Sequence, residues 1–211
     1  MKKLAISLRR LSSLIRRQQE TALMKDTESK FKQSITGELS RLKGLEFERQ
    51  SVLALENYGF DLKQRFAAAT QADGGIDLMG TWRFANENND VQVAVQCKDL
   101  NKSVPVSTIR ELESSLRKLT ETNVVGVADI TANRFTLVGV LAVSSDLSPA
   151  AKKWFDHSPC ILSLALIRPD RPFCEFSMNS TMAARFPELR VVRQYNQKFA
   201  SFVDIIIKRQ G

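Results

Sequence analysis

Two almost unbroken apolar runs constrain the fold of this chain more than any other feature of its sequence. Residues 137–143 and 160–167 carry no charged side chain. Strands that are buried on both faces have continuous apolar sequences of this length, whereas strands with one solvated face alternate apolar and polar residues. We therefore expect both runs to form interior strands of a sheet that helices cover on its two faces.

The segments around these runs predict the rest of the architecture. Their order is helix, three strands, helix, strand, helix, strand, which indicates an α/β fold with a mixed sheet flanked by helices. The predicted elements are a helix over 44–58 ended by Gly59, a strand from Phe60, a hairpin of strands over 76–84 and 91–98, a helix over 108–120 capped by Ser107, and a helix capped by Ser148 that runs to Phe155. Apolar runs at 189–192 and 199–207 predict a further strand and a helix.

The positive charge of the chain is concentrated at its N-terminus. The formal net charge is +8, a value that suggests a nucleic-acid or anionic-membrane partner. Six of these charges precede the first acidic residue, Glu20, so that the remainder of the chain carries only +2. Bulk charge therefore gives no argument that the body of the protein binds nucleic acid. The six residues are Lys2, Lys3, Arg9, Arg10, Arg16 and Arg17.

The same N-terminal segment is typical of a mitochondrial transit peptide. Its apolar residues recur at helical spacing among arginines and serines, without carboxylates. We predict that residues 1–25 target the protein to the mitochondrial matrix through the import machinery, and that residues 26–41 form a linker or an extended helix. The alternative is a basic helix that stays attached and binds a membrane surface or nucleic-acid phosphates. The apolar stripe consists of Leu4, Leu8, Leu11 and Ile15.

Several classes of function lack their signatures. The three cysteines, Cys97, Cys160 and Cys174, are far apart and form no Cys-x-x-Cys pair, which disfavours a disulfide framework or a structural zinc site. His157 is the only histidine, so a His-rich zinc hydrolase is excluded. The sequence also contains neither a Gly-x-x-x-x-Gly-Lys-Ser/Thr loop nor a Gly-x-Gly-x-x-Gly motif, and nucleotide-cofactor functions therefore lack a phosphate-binding loop.

Residues 74–98 carry the pattern that points to chemistry. In a strand over 91–98, alternation places Gln96 and Lys98 on one face, beside Asp77 in the preceding turn. The Asp77 carboxylate, the Gln96 amide oxygen and the backbone carbonyl of Cys97 are hard oxygen ligands that suit Mg²⁺ or Mn²⁺. Lys98 would orient the attacking water and stabilise transition-state charge, and Glu48 in the first helix would assist the metal. We interpret this as the site of a phosphodiesterase.

Each of these residues also has an ordinary structural interpretation. Gly-Gly-Ile-Asp is common turn chemistry, and a strand lysine such as Lys98 is usually solvated. Gln96 would equally suit an edge position where its amide pairs with the backbone, and Glu48 would favour a helix N-terminal dipole. Arg110 suits a surface helix charge as well as a phosphate contact. The functional interpretation depends on the residues acting jointly.

Four segments together resemble a known family. They read Gly-Leu-Glu-Phe-Glu at 44–48, Asp-Gly-Gly-Ile-Asp-Leu at 73–78, Val-Gln-Cys-Lys at 95–98 and Ile-Arg-Glu-Leu at 109–112. In this order they resemble the PD-(D/E)xK nuclease superfamily, in the Mrr-like branch where glutamine replaces the acidic residue of the last motif. The resemblance implies a restriction-endonuclease-like fold over residues 42–168. We predict that residues 169–211 form a C-terminal extension that packs on the domain, where the sequence carries no motif that gives it a role. With the Arg-rich start, the chain is similar to fungal mitochondrial "required for respiratory growth" proteins.

The resemblance implies a Mg²⁺-dependent or Mn²⁺-dependent endonuclease. Its partner would be nucleic acid, DNA rather than RNA, in mitochondrial genome maintenance that respiratory growth requires, and a homodimer is left open. Asp99 and Leu100 depart from the family, which usually has basic or aromatic residues directly after the last motif lysine. The alternative is therefore a catalytically inactive nuclease fold that binds nucleic acid or a protein partner.

Overall fold

The structure is a computed structural model, and it describes residues 30–64, 75–83, 91–121, 136–168, 174–196 and 201–208. The chain divides into two compact units, residues 1–43 and 44–211. In the first unit, residues 30–43 are helical and all their side chains are exposed. The predicted targeting segment, residues 1–25, lies outside the described residues. No helix in the described part of the chain is long and apolar enough to cross a membrane.

The second unit is built on a six-stranded sheet whose spatial order follows the chain order, β1 to β6. Neighbouring strands pair antiparallel from β1 to β3, parallel from β3 to β5, and antiparallel between β5 and β6. The sheet is therefore mixed, as predicted. The strands are β1 Phe60–Gln64, β2 Leu78–Trp82, β3 Val91–Lys98, β4 Thr136–Val143, β5 Leu162–Ile167 and β6 Cys174–Met178.

Four helices cover the two faces of this sheet. One face packs against α1 (residues 44–56) and α4 (Ser180–Arg185), and the other packs against α2 (Val106–Glu121) and α3 (Pro149–His157). Each face has its own apolar core. This arrangement confirms the predicted α/β fold of a sheet flanked by helices.

Strand β4 lies inside the sheet and is buried on both faces, which explains the apolar run at residues 137–143. Val138 and Val140 contribute to the α1 face, whereas Leu141 contributes to the α2 face, and all three are buried. At Gly139, an added Cβ would lie 2.5 Å from a methyl carbon of Leu116 on α2. Glycine at this position therefore lets α2 approach the sheet closely.

The helix boundaries test two predicted caps. Ser148 is the N-cap of α3, where its hydroxyl accepts a hydrogen bond from the Ala151 N–H at 3.2 Å, as predicted. The prediction that Ser107 caps α2 is wrong. The Pro105 carbonyl already accepts the Thr108 N–H at 3.2 Å, and the helix begins at Val106, so Ser107 lies inside its first turn.

The prediction of a helix over 199–207 is also wrong. Strand β7 (Leu189–Asn196) pairs antiparallel with β8 (Ser201–Lys208) in a separate two-stranded sheet. Three successive isoleucines, residues 205–207, favour a strand over a helix because β-branched side chains are restricted in helices. Buried Asp204 accepts the Phe176 N–H at 3.0 Å and pairs with Arg193 Nε at 3.0 Å, which holds β8 against β6.

Candidate active site

The predicted site lies at the carboxyl end of β3, where the sheet changes from antiparallel to parallel neighbours. On one side β2 starts beside this end, and on the other β4 runs parallel to β3. Ligand sites in open α/β sheets lie outside the carboxyl ends of the parallel strands. Leu78, the first residue of β2, lies opposite Val95 in the β2–β3 register, and Asp77 directly precedes it.

Two hydrogen bonds fix Asp77 against β3. Its backbone N–H donates to the Val95 carbonyl at 2.9 Å, and its Oδ2 accepts the Cys97 N–H at 2.6 Å. Hydrogen bonds to a carboxylate are shorter and stronger than those between neutral groups. The Asp77 carboxylate is therefore oriented by the backbone of the strand that carries Gln96 and Lys98.

Gln96 is buried with an unsatisfied oxygen. The residue is 1% exposed, and within the described part of the chain its Oε1 is buried and makes no hydrogen bond. Because β3 lies between β2 and β4, Gln96 is not at a sheet edge, and the interpretation as an edge residue is wrong. A buried polar atom without a partner costs about 1–3 kcal/mol of folding free energy, which calls for a compensating role. A hard cation at this oxygen would provide one.

Gly75 makes room for the Gln96 amide. Its φ is 79°, a left-handed conformation that favours glycine. An added Cβ would lie 2.7 Å from Gln96 Nε2, closer than side-chain atoms pack. The second glycine of the Gly-Gly turn is therefore required for both the turn and the amide beneath it.

Lys98 lies two residues beyond Gln96 on the same face of β3, at the rim of the sheet. Its Nζ is 3.8 Å from Glu111 Oε2 on α2, and the two side chains are 36% and 57% exposed. Ion pairs this exposed contribute about 0–1 kcal/mol, because water screens them and both side chains lose rotamer freedom. Lys98 can thus exchange Glu111 for an anionic substrate at little cost.

Glu48 reaches the same end of β3 from the other face of the sheet. Burial raises the pKa of the Cys97 thiol, and the negative charges of Asp77 and Glu48 raise it further. The thiol also shares a hydrogen bond with Ser51, which lies one turn after Glu48 on α1. Alternation along β3 therefore places Gln96 and Lys98 on the α2 side, whereas the charges of Asp77, Glu48 and Lys98 all act on Cys97 at the end of β3.

The donor set suits a hard cation but is sparse. Among the described residues, no group of three or more His, Cys, Asp or Glu side chains is placed to hold a metal. Asp77 and Gln96 offer a carboxylate and an orphaned amide oxygen, and Mg²⁺ commonly takes one or two carboxylates and fills its remaining positions with water and substrate phosphate. The residues present therefore fit Mg²⁺ or Mn²⁺ with an incomplete protein shell.

Glu111 contacts the candidate site although its sequence context predicts no role there. Glu111 reaches Lys98 because the crossover after β3 lays the first turns of α2 over the end of that strand. The two residues are 13 positions apart, so no local spacing indicates the contact. Asp73, the other acid of the predicted turn, lies outside the described residues.

A comparison with protein families gives one match. A family model named Mrr_cat and described as a restriction endonuclease matches residues 39–167, well over half of the chain. This span includes the four residues Glu48, Asp77, Gln96 and Lys98 and all strands from β1 to β5. No curated protein and no solved structure gives a significant match.

Replacing Gln96 tests whether its amide serves folding. We expect Gln96→Met, which has a similar volume and no unsatisfied oxygen, to keep or raise the free energy of unfolding, by about 1 kcal/mol. Urea unfolding without divalent ions measures this. The matched control is Gln92→Met, half-buried on the same face of β3, with an expected change within about 0.5 kcal/mol. A loss above about 1 kcal/mol for Gln96→Met alone would show that the amide is structural.

Proposed function

Because the chain belongs to the Mrr_cat family of restriction endonucleases, we propose that it is a metal-dependent DNA endonuclease. The observation that carries this proposal is the pairing of two oxygen donors at the end of β3. The Asp77 carboxylate is fixed by the Cys97 N–H, and the orphaned oxygen belongs to Gln96, the residue directly before Cys97 on the same strand. An amide oxygen buried without a partner costs stability, so a ligand at this point explains why it is retained.

The metal donors on this proposal are Asp77, Gln96 Oε1 and the backbone carbonyl of Cys97, with Glu48 as a further carboxylate. The family generally uses Mg²⁺ or Mn²⁺, and these are oxygen ligands of the type that such ions prefer. A bound divalent cation supplies positive charge to the phosphoryl oxygens and favours ionisation of water at neutral pH.

Lys98 supplies a second positive charge beside the scissile phosphate. Its ammonium group lies on the same strand face as Gln96, and its weak pair with Glu111 leaves it half-exposed. In the proposed complex Lys98 donates to a non-bridging phosphate oxygen and orients the attacking water. The Lys98 ammonium group is already in position to stabilise the negative charge that develops on the phosphoryl group. The activation barrier is lowered because the donor does not have to move during the reaction step.

Substitutions at Asp77 and Lys98 test the catalytic role. We expect Asp77→Asn and Lys98→Met each to lower cleavage of supercoiled plasmid in Mg²⁺ or Mn²⁺ by about 100-fold or more, because each removes transition-state charge stabilisation. Asparagine can still accept the Cys97 N–H, so the fold should survive, as thermal melting will check. Ratios of nicked to linear product will show whether two copies act together on duplex DNA.

Lys118→Met is the matched control for Lys98→Met. Lys118 is exposed in the last turn of α2, seven residues beyond Glu111, and its substitution should change cleavage less than twofold. Cleavage that persists at wild-type rates in both Asp77→Asn and Lys98→Met would contradict the mechanism. Equal losses in Lys98→Met and Lys118→Met would point to general electrostatic binding of DNA instead.

The second candidate function is an inactive nuclease fold that binds nucleic acid or a protein. Two observations favour it: the described residues hold no cluster of three metal-binding side chains of the His, Cys, Asp or Glu types, and Lys98 is engaged by Glu111. On this hypothesis the wild-type protein binds duplex DNA in gel-shift assays but does not cut it in either metal. Asp77→Asn would then bind with unchanged affinity.

We also propose that the protein acts in the mitochondrial matrix, in genome maintenance that respiratory growth requires. Support comes only from residues 1–25, which are basic, amphipathic and carboxylate-free up to Glu20. A fluorescent protein fused behind residues 1–25 should enter isolated mitochondria and be cleaved, in a manner that depends on membrane potential. Replacing Arg9, Arg10, Arg16 and Arg17 by glutamine should abolish import. Equal import of both fusions, or of neither, would contradict the proposal.

A further inference from the structure

A second recess lies apart from the candidate active site, between α2 and α3. Its volume is about 530 Å³, within the ~300–1,000 Å³ that small-molecule pockets span. Its lining combines one exposed indole and several apolar side chains with basic residues and no acidic one. The lining residues are Val106, Arg110, Ala150, Lys153, Trp154, His157, Ser158 and Pro159.

The indole of Trp154 is held in one orientation. Its Nε1 donates to both carboxylate oxygens of Glu113 at 3.2 Å, and the Ser158 hydroxyl donates to the same carboxylate at 2.5 Å. Glu113 is only 9% exposed and Ser158 is buried, so the anchor lies beneath the surface. Trp154 itself is 39% exposed. A large aromatic ring is thus presented to solvent and fixed from below.

Arg110 covers one face of this ring, and the two stacked groups together form a platform. Its guanidinium carbon lies 4.2 Å from the centroid of the Trp154 ring, in cation–π contact. Planar guanidinium groups and indole rings are the surfaces on which unpaired nucleobases stack. Arg110 is exposed on α2, as a surface helix charge would be, and it also contacts Trp154, which its sequence context did not indicate.

The charges around the platform favour an anion. Lys153 and His157 lie on α3, and Arg110 faces them from α2, whereas none of the eight lining residues is acidic. The carboxylate of Glu113 is taken up by Trp154 and Ser158. A planar ligand with a negative group matches both the platform and its rim, and a nucleotide has both features.

We propose that this pocket binds one unpaired nucleotide of a DNA strand, with the base on the Trp154–Arg110 platform and the phosphate at Lys153. An apolar partner side chain would not use the basic rim. The first turns of α2 connect the pocket to the candidate active site, because Glu111, next to Arg110, contacts Lys98. That the two sites engage one strand rests on the proposed nuclease function; binding at the pocket does not.

Binding of a fluorescein-labelled six-nucleotide oligo-dT in EDTA tests the pocket without cleavage. We expect Trp154→Leu to raise the Kd ~5- to 100-fold, which is the effect of losing one base–aromatic stack. Trp154→Phe keeps an aromatic face and should lose less. Lys153→Met should reduce the slope of log Kd against the logarithm of the salt concentration by the amount that about one phosphate contact contributes. Tyr195→Leu, at an exposed tyrosine on β7, is the matched control and should bind as the wild type does.

Two outcomes would overturn the proposal. One is an unchanged Kd in both Trp154→Leu and Trp154→Phe, and the other is an equal loss in Tyr195→Leu. A shift in sedimentation coefficient on Trp154→Leu, with the Kd unchanged, would identify the recess as a protein interface instead. Asp77→Asn separates this proposal from the nuclease function, because it should abolish cleavage while leaving oligo-dT binding intact.

Discussion

The hydrogen bond from the Cys97 N–H to the Asp77 carboxylate is the interaction on which the candidate site depends. It joins the residue before β2 to the end of β3 at 2.6 Å, where the antiparallel ladder of the two strands ends. Because the donor belongs to the backbone, the carboxylate position is fixed by the sheet itself. Gln96 precedes Cys97 on the same strand, so both oxygen donors belong to residues that the β2–β3 pair positions.

The candidate site lowers the folding stability of the protein, and the rest of the fold compensates for this loss. Gln96 leaves one buried oxygen unsatisfied, and Gly75 adopts a left-handed turn to admit the amide. Around them both faces of the sheet are covered by apolar cores, from α1 and α4 on one side and α2 and α3 on the other. Such local departures from good packing are typical of functional positions, where binding rather than stability sets the residue. The orphaned oxygen thus links the energetics of folding to the proposed chemistry.

The sequence predicted what depends on local pattern. Apolar runs located β4 and β5, and alternation in 91–98 placed Gln96 and Lys98 on one face, because burial and a two-residue period leave direct traces. It failed where distant packing decides. Asp204, for example, bonds to β6 across 28 positions. The helix expected over 199–207 was wrong for a local reason, because the three isoleucines at 205–207 favour the strand β8. The Lys98–Glu111 pair and the Glu113–Trp154 hydrogen bond also join separate elements. Neither contact has the short helical or strand spacing from which a contact can be predicted.

The central claim is that Asp77 and Gln96 share one divalent cation, and Mn²⁺ binding tests it most directly. Titration of the full chain, followed by the loss of the free-ion electron paramagnetic resonance signal, counts sites without any requirement for cleavage. We expect the wild type to bind one Mn²⁺. The affinity for this ion should fall strongly in both Asp77→Asn and Gln96→Met and should not change in Gln92→Met. Equal Mn²⁺ binding by all four proteins, or none by the wild type, would contradict it.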